Sequence, residues 1–399
     1  MKMKTSQISR RNWLKKGALT MAGIAMMPQD IWAKTVEQAQ LEKRPFLFNT
    51  KNTFNEYTPP LFKESKPLKA ILRANENPYG PPPLAAKAFQ DEVFSGNRYA
   101  WSTLNNLIDI ISKKENVKPE QIIMAPGSSD ILEKVAMVFF QKGGDVISAD
   151  PSYMSLMNVS KSVGGEWKAY KLLSDSQHDL DAMEAAIDEN TKLIYICNPN
   201  NPTGSITDAK KLKSFCSRVS EKVPVFIDEA YIELSNNGIK DSMVSLISEG
   251  KNVMVARTFS KIHGMAGLRI GYLLGKEETL KRINDVTRGG MGITGPSIMA
   301  ATTSLKGEEF LNMSKTKIAE ARAYTKAYLD TKGYSSLPSQ TNFMIFEIPM
   351  DGNAFLEKIY NKQVGVRAFK FWDKNWCRVS MGTMEEMKLF TAAMDEIFA

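Results

Sequence analysis

The stretch "LIYICNPNNPTG", residues 193 to 204, is a short apolar run that ends in a polar loop. The apolar half is rich in β-branched residues, which is typical of a buried strand. Similar runs occur along the chain: "QIIMA" (121–125), "DVISA" (145–149), "VPVFID" (223–228), "NVMVA" (252–256) and "IGYLL" (270–274). Segments with helical periodicity separate these runs. The alternation predicts an α/β domain with a mostly parallel central sheet.

Length and composition predict more than one domain. With 399 residues, 43% of them hydrophobic, the chain can form one large core and a smaller one. We expect the large domain at residues 81–288. Residues 289–399, where long helical patterns mix with short strands, predict a smaller α+β domain. Residues 34–67 are polar with scattered aromatic residues and prolines, which indicates an extended arm, and we expect residues 34–80 to form this arm and part of the small domain.

Charge and the content of cysteine and histidine argue against several classes of function. The net charge of +8 is concentrated in residues 1–33, which carry six basic residues against Asp30, so the rest of the chain is only +3. A mildly basic body is weak support for a nucleic-acid partner, and we expect none. The three cysteines stand far apart, and the two histidines do not form a ligand pair. Neither a disulfide framework nor a metal site is predicted.

The N-terminus reads as an export signal. Residues 9–16 are "SRRNWLKK", followed by the weakly hydrophobic "GALTMAGIAMM" and then "PQDIWAK". Paired arginines before a short apolar run predict a twin-arginine signal peptide at residues 1–33, with cleavage after Ala33. We therefore expect the twin-arginine export machinery as a partner and a periplasmic location, at the membrane if the signal is uncleaved. The alternative is a frayed basic tail with a short amphipathic helix.

In a parallel sheet, functional side chains collect where the strands end at their carboxyl edge. After "QIIMA", residues Gly127, Ser128 and Ser129 predict a tight turn into a helix, whose free N–H groups and dipole favour an anion. A glycine turn with a simple N-cap is the alternative. In "NPNNPTG" (198–204), two Asn-Pro steps either fix Asn201 as a directed amide donor or form only an ordered loop.

Asp228 and Lys261 are the candidate chemical groups. Asp228 ends the apolar run "VPVFID", and a carboxylate there needs a cation, either an arginine or a protonated pyridine nitrogen. Lys261 lies in "RTFSKIHGMAGLRIGY" (257–272), after Thr258 and Ser260 and before Arg269, which suit a phosphate. An amine in such surroundings has a lowered pKa and can act as a nucleophile. Together these groups meet the requirements of pyridoxal 5′-phosphate.

A series of short strings, in one order along the chain, resembles the fold-type I class I/II aminotransferases, most closely the histidinol-phosphate aminotransferases. The similarity runs from about Ala70 to the C-terminus. The strings are "RANENPYGPPP" (73–83), "NRYA" (97–100), "GSSDI" (127–131), "PSYMSL" (151–156), "NPNNPTG", "DEAY", "RTFSKIHGMAGLRIGY", "NFMIF" (342–346), "VGVRAF" (364–369) and "CRVSMGT" (377–383). The resemblance implies a three-layer fold with a smaller α+β domain, and a homodimer.

The resemblance also implies roles for individual residues. Lys261 would hold the cofactor covalently and then move the proton, while Asp228 would keep the pyridine nitrogen protonated. Asn201 and Tyr231 would bond the phenolic oxygen, and Tyr153 would stack on the ring. The implied phosphate ligands are Ser128, Ser129, Thr258, Ser260 and Arg269.

Other implied residues lie toward the substrate or the second subunit. Tyr99 would reach the cofactor phosphate of the partner subunit. Arg367 and Arg378 would bind the anionic group of the substrate, and Asn75 would line the substrate side. Two segments depart from the family pattern: "YAW" (99–101) and "TRGGMGITGPSIMAATTSL" (287–305). The glycines of the second predict a flexible or closely packed loop near a substrate side chain.

We therefore predict transamination between a 2-oxo acid and an amino acid or amino-alcohol phosphate, either aromatic or like histidinol phosphate. A decarboxylase or lyase would use the same cofactor residues and is the first alternative. A cofactor-binding protein without turnover is the second.

Overall fold

The computed structural model describes residues 54–59 and 67–399. The predicted signal peptide and most of the predicted arm lie outside these residues. The strands are β1 (Asn55–Glu56), β2 (Ala70–Ile71), β3 (Ile122–Ala125), β4 (Asp145–Asp150), β5 (Glu166–Lys171), β6 (Thr191–Cys197), β7 (Val225–Asp228), β8 (Val253–Thr258), β9 (Gly271–Leu274), β10 (Phe343–Glu347), β11 (Val364–Gly365), β12 (Arg367–Phe371) and β13 (Lys374–Ser380). The α-helices are α1 (Pro83–Glu92), α2 (Trp101–Glu115), α3 (Ser128–Phe140), α4 (Ser155–Ser162), α5 (Leu180–Ala185), α6 (Ala209–Val219), α7 (Ser245–Ser248), α8 (Glu277–Asn284), α9 (Gly295–Ser304), α10 (Glu308–Thr331), α11 (Gly352–Asn361) and α12 (Met384–Phe398).

The central sheet has the strand order β3-β9-β8-β7-β6-β4-β5. Neighbours from β8 to β5 are parallel, and β9 is antiparallel to both of its neighbours. Strands β3, β4, β7, β8 and β9 are buried at every residue. Strands that are covered on both faces need nearly continuous apolar runs, which is why such runs located them in the sequence. The predicted α/β fold with a mostly parallel sheet is confirmed.

Alternate residues of the central strands face two separate cores. Ile194 and Ile196 of β6 pack in one core with Phe215 of α6. Tyr195, between them, packs in the other core with Leu132 of α3. The sheet is therefore the middle of three layers.

A smaller antiparallel sheet has the order β1-β12-β13-β10, and β11 pairs with β2 in parallel. Its core contains Phe343 and Phe346 of β10 together with Ile318, Phe355 and Phe390 from helices α10, α11 and α12. Segments near the start of the described chain thus pair with strands near its end. The domain boundaries at residues 80 and 288 stay predictions. Within the described residues, no helix is both long and apolar enough to cross a membrane.

Candidate active site

Three parallel strands end side by side at the carboxyl edge of the central sheet. Cys197 of β6 pairs in register with Asp228 of β7, and Asp228 pairs with Ala256 of β8. The loop at residues 198–204, the Asp228 carboxylate and the segment after Thr258 therefore leave the sheet together. This edge is where an open α/β sheet binds its ligand.

Asp228 is a buried carboxylate held only by neutral donors. Its side chain is about 2% exposed and accepts hydrogen bonds from the Ala230 backbone N–H at 3.1 Å and the Tyr195 hydroxyl at 3.2 Å. Burial raises the pKa of Asp228 to about 6, against the opposing effects of these bonds and of the Lys261 charge. Among the described residues, no arginine or lysine forms an ion pair with it. The environment of Asp228 suits a cationic ring nitrogen better than a structural arginine.

Lys261 lies close to Asp228 and to the substrate side. Its Nζ is 3.3 Å from the Ala74 carbonyl oxygen and 5.4 Å from the centre of the Tyr231 ring. Burial lowers the pKa of Lys261 to about 8, and the charge of Arg378 lowers it further than that of Arg269 does. From the sequence, Arg269 and an anion were the expected causes of the lowered pKa, whereas burial and Arg378 are larger causes than Arg269. A fraction of the amine is neutral near pH 7 and can act as a nucleophile.

The predicted anion turn has the expected geometry. Helix α3 begins at Ser128, directly after Gly127, whose φ is 86°. A Cβ atom on Gly127 would lie 2.4 Å from Nη2 of Arg269. Only glycine therefore allows both this backbone conformation and the close approach of the guanidinium. Arg269 donates to the carbonyl oxygens of Ala266 and Pro126 at 2.9 and 3.3 Å, which fixes it beside the turn.

Three of the four predicted phosphate hydroxyls lie within hydrogen-bond distance of another hydroxyl. Thr258 Oγ1 donates to Ser260 Oγ at 2.9 Å, and the Ser260 backbone N–H donates to Thr258 Oγ1 at 3.1 Å. The Ser129 hydroxyl lies 3.4 Å from the Tyr153 hydroxyl. Burial raises the pKa of Tyr153, so this phenol is neutral at physiological pH. Tyr153 is thus placed beside the start of α3.

Asn75 and Tyr231 form a buried polar pair. Nδ2 of Asn75 donates to Tyr231 Oη at 3.0 Å, which leaves the Tyr231 hydroxyl hydrogen for another acceptor. Asn75 has a left-handed backbone with φ of 53°, which asparagine tolerates better than most residues. Ser380 fixes it by accepting from its backbone N–H at 2.8 Å and donating to its Oδ1 at 2.9 Å. Burial raises the pKa of Tyr231.

Arg378 is the buried cation of the site. Its Nη1 donates to Asn201 Oδ1 at 2.7 Å, and its Nη2 donates to the Arg73 carbonyl oxygen at 3.0 Å. The guanidinium lies between the rings of Phe343 and Phe369, at 5.4 and 5.3 Å from their centres. In this structure the Asn201 side chain orients Arg378, a pairing that the sequence did not predict.

Two of the predicted site residues have other surroundings than expected: Arg367 is paired with a carboxylate, and Tyr99 is exposed. Nη1 of Arg367 donates to Glu56 Oε1 at 2.7 Å, so this arginine already has an anionic partner. Tyr99 is 79% exposed, and the centre of its ring lies 5.8 Å from the centre of the Trp101 ring. Among the described residues, no group of His, Cys, Asp or Glu side chains is arranged to hold a metal ion.

Comparison with known proteins identifies the family. The family model for aminotransferase class I and II matches residues 55–394. The histidinol-phosphate aminotransferase of Halalkalibacterium halodurans is 31% identical over 355 residues, which cover 85% of this chain and 95% of the relative. That of Moorella thermoacetica is 33% identical over 337 residues, which cover 82% of this chain and 85% of the relative. The chain belongs to the aminotransferase class I and II family.

A solved relative supports the cofactor. The crystal structure of histidinol-phosphate aminotransferase from Sinorhizobium meliloti in complex with pyridoxal 5′-phosphate has a TM-score of 0.76 at 26% identity. The match covers 83% of this chain and 91% of that chain. The present protein is a pyridoxal-phosphate-dependent aminotransferase of fold type I.

The side chains of this aminotransferase fit that cofactor. Asp228 offers a buried carboxylate without a cation, and Lys261 offers an amine of lowered pKa. Gly127 leaves the space that Arg269 occupies beside the N-terminus of α3. A carboxylate for the ring nitrogen, an amine for the aldehyde carbon and a cationic helix start for the phosphate are thus on one sheet edge.

A cluster of buried charges next to Asp228 in this aminotransferase was not predicted from the sequence. Arg257 Nε donates to Glu229 Oε2 at 2.9 Å, and Glu115 and Glu233 lie within 3.8 and 3.5 Å of the same guanidinium. Burial raises the pKa of Glu229 against the effect of Arg257. The pair joins the residue after Asp228 to the strand that ends at Thr258. Glu229 and Arg257 are evident in the sequence, but their pairing can be predicted only when the register of β7 and β8 is known.

The glycine-rich segment at residues 287–305 packs closely, which is one of the two structures expected from the sequence. A Cβ on Gly292 would lie 2.8 Å from Cγ of Pro126, the residue before the anion turn, and one on Gly290 would lie 3.0 Å from Leu104 Cδ2. These glycines therefore allow the segment to contact the turn and helix α2. Its predicted position near a substrate side chain stays a prediction.

Proposed function

We propose that this aminotransferase takes its amino group from an anionic donor, which Arg378 binds, and passes it to a 2-oxo acid. The observation that carries the proposal is the buried Arg378 guanidinium, whose charge acts on Lys261 and whose Nε has no partner among the described residues. Arginine binds carboxylate and phosphate groups through paired N–H donors. The names of the curated relatives make donors like histidinol phosphate the first to examine, followed by aromatic amino acids.

The proposed roles follow from the contacts of each side chain. Arg378 orients the anionic end of the donor, and Asn201 and the Arg73 carbonyl hold Arg378 in place. The Lys261 amine would remove the proton from the donor carbon and return it, because burial and the Arg378 charge lower its pKa. Asp228 would hold a proton on the ring nitrogen of a bound cofactor, and the Tyr231 hydroxyl would donate to its phenolic oxygen. The cofactor itself supplies the electron sink that makes the carbon–hydrogen bond acidic.

The half-reaction of the purified holoenzyme tests the proposal. A donor should abolish the visible absorbance of the lysine-bound cofactor, and a 2-oxo acid should restore it. The restoration also separates transamination from decarboxylation or elimination. Lys261→Ala should lack both the absorbance and the activity, whereas Lys251→Ala, which removes a cation paired with Glu221 at 2.7 Å, should retain both. A Lys261→Ala protein that keeps the absorbance would contradict the assignment.

We also propose a homodimer in which Tyr99 reaches the cofactor phosphate of the second subunit. Large apolar side chains in the segment that precedes Tyr99 are exposed, among them Phe94 at 92% and Leu84 at 71%, and a second copy would cover them. Neither Tyr99→Ala nor Lys261→Ala alone should be active, but mixed dimers should regain one intact site. Mixtures that exchange subunits yet stay inactive would exclude this arrangement.

Export by the twin-arginine route is a further part of the proposal. It is supported by the sequence "SRRNWLKK" at residues 9–16, which lie outside the described part of the structure. Changing both Arg10 and Arg11 to lysine should retain the precursor in the cytoplasm, as seen by fractionation. Unchanged delivery of this variant to the periplasm would contradict the proposal.

A further inference from the structure

The substrate side contains two arginines that face one another across adjacent strands. Arg367 of β12 and Arg378 of β13 are directly paired in register. The Nε atoms of both are buried and have no hydrogen-bond partner among the described residues. Two adjacent guanidinium groups would by themselves favour a dianion such as a phosphate ester.

Glu56 changes this balance of charge. Its Oε1 is 2.7 Å from Nη1 of Arg367, and the two side chains are only 14% and 32% exposed. Glu56 lies opposite Phe369 in the β1–β12 pairing, and the Phe369 ring contacts the Arg378 guanidinium. The charge of Glu56 also acts on Arg378, where it opposes the lowering of the pKa by burial. The group of three side chains therefore carries one net positive charge instead of two.

Arg378 retains donors suited to one small anion, and no carboxylate of the described residues neutralises it at hydrogen-bond distance as Glu56 does Arg367. Of its five N–H groups, two are engaged by Asn201 and the Arg73 carbonyl oxygen. A carboxylate can accept two of the remaining donors. A phosphate dianion that extends toward Arg367 would approach the Glu56 carboxylate, and like charges at contact disfavour binding.

We propose that Glu56 is a specificity-determining residue, which selects amino acids that carry a single carboxylate over amino-alcohol phosphates by neutralising Arg367. This inference rests on the proposed function, because it takes Arg378 as the group that binds the donor.

Histidine and histidinol phosphate are matched probes, because they share the amine and the imidazole and differ in carboxylate against phosphate ester. The wild type should favour histidine. In Glu56→Gln the ratio of kcat/KM should shift toward histidinol phosphate by at least about tenfold, since the like charge is removed. The double variant Glu56→Gln with Arg367→Gln should lose this gain. Glu347→Gln is the matched control, because it neutralises a carboxylate paired with Lys374 at 2.6 Å in the same sheet.

A binding measurement separates this inference from the proposed function. Titration calorimetry of the holoenzyme with inorganic phosphate needs no turnover, and Glu56→Gln should bind phosphate about tenfold more tightly than the wild type. Arg367→Gln, which leaves Glu56 uncompensated, should bind it more weakly. If phosphate affinity changes in this way while no donor reacts, the proposed donor reaction fails and the role of Glu56 stands. If donors react but neither the ratio nor the phosphate affinity changes, Glu56 does not determine specificity.

Discussion

The cofactor side and the substrate side of this aminotransferase are built in different ways. Asp228 is the last residue of β7, and Gly127 and Lys261 come two and three residues after the ends of β3 and β8, so a short contiguous string positions each of them. On the substrate side, Glu56, Asn75 and Arg378 come from distant parts of the chain. Glu56 meets Arg367 because β1 pairs with β12, Arg367 meets Arg378 because β12 pairs with β13, and Asn75 bonds Ser380 at the end of β13. The first region is specified locally, while the second depends on long-range register. The two regions should respond differently to substitution.

The largest effect is expected at Asp228, on the cofactor side. Asp228→Asn keeps the shape of the side chain but removes the charge that holds a proton on the ring nitrogen. We expect kcat to fall roughly 10²–10³-fold, the range for loss of one preorganised electrostatic contact. Cofactor affinity should fall as well, while the KM of the donor should change little. Single-turnover spectroscopy measures the rate, and an unchanged rate would remove Asp228 from the mechanism.

The Asp228 carboxylate should also make the stability of the cofactor-free protein depend on pH. Its folded pKa of about 6 lies above the unfolded value of 3.8, so the folded state holds an extra proton between these values. The free energy of unfolding should therefore decrease by about 3 kcal/mol as pH rises from about 3 to 7, with about two thirds of the decrease between pH 4 and 6. Denaturant titrations should show this decrease as the difference between the wild type and Asp228→Asn, because the other carboxylates are present in both proteins. A difference between the two proteins that stays constant or rises over this range would contradict the raised pKa of Asp228.

The sequence predicted the cofactor side well for a physical reason. Strands buried on both faces leave long apolar runs, and Asp228 or Lys261 interrupts the pattern at a fixed distance from a run. The parallel register then brings these interruptions together. Asn201 shows the limit, because its loop was located but its bond to Arg378 was not. The carboxylate partners of Arg367 and Arg257 could not be predicted either, because the sequence does not show which distant carboxylate an arginine contacts.

A smaller effect is expected at Arg378, on the substrate side. Arg378→Lys keeps the charge but loses the fork that bonds Asn201, the Arg73 carbonyl and the donor together. We expect kcat/KM to fall roughly 10–100-fold through a higher KM, with little loss of the visible absorbance of the cofactor. Steady-state kinetics with several donors measures this. A loss of cofactor instead of donor affinity would mean that the two regions are not separable.

The smallest effect is expected at Gly127, where the local character of the cofactor side can be tested directly. Gly127→Ala places a Cβ 2.4 Å from Arg269 Nη2 at a φ of 86°, so both the backbone and the guanidinium must shift. Gly164→Ala is the matched control, because Gly164 has a φ of 99° but open space around its Cβ.

Both variants should lose about 1 kcal/mol of stability from the backbone. Only Gly127→Ala should also bind the cofactor less tightly, by up to about tenfold, because Arg269 contributes one charge-assisted contact to the phosphate. Equilibrium titration of the cofactor-free proteins measures the difference. Equal cofactor affinity in the two variants would show that the position of Arg269 is not set by this glycine.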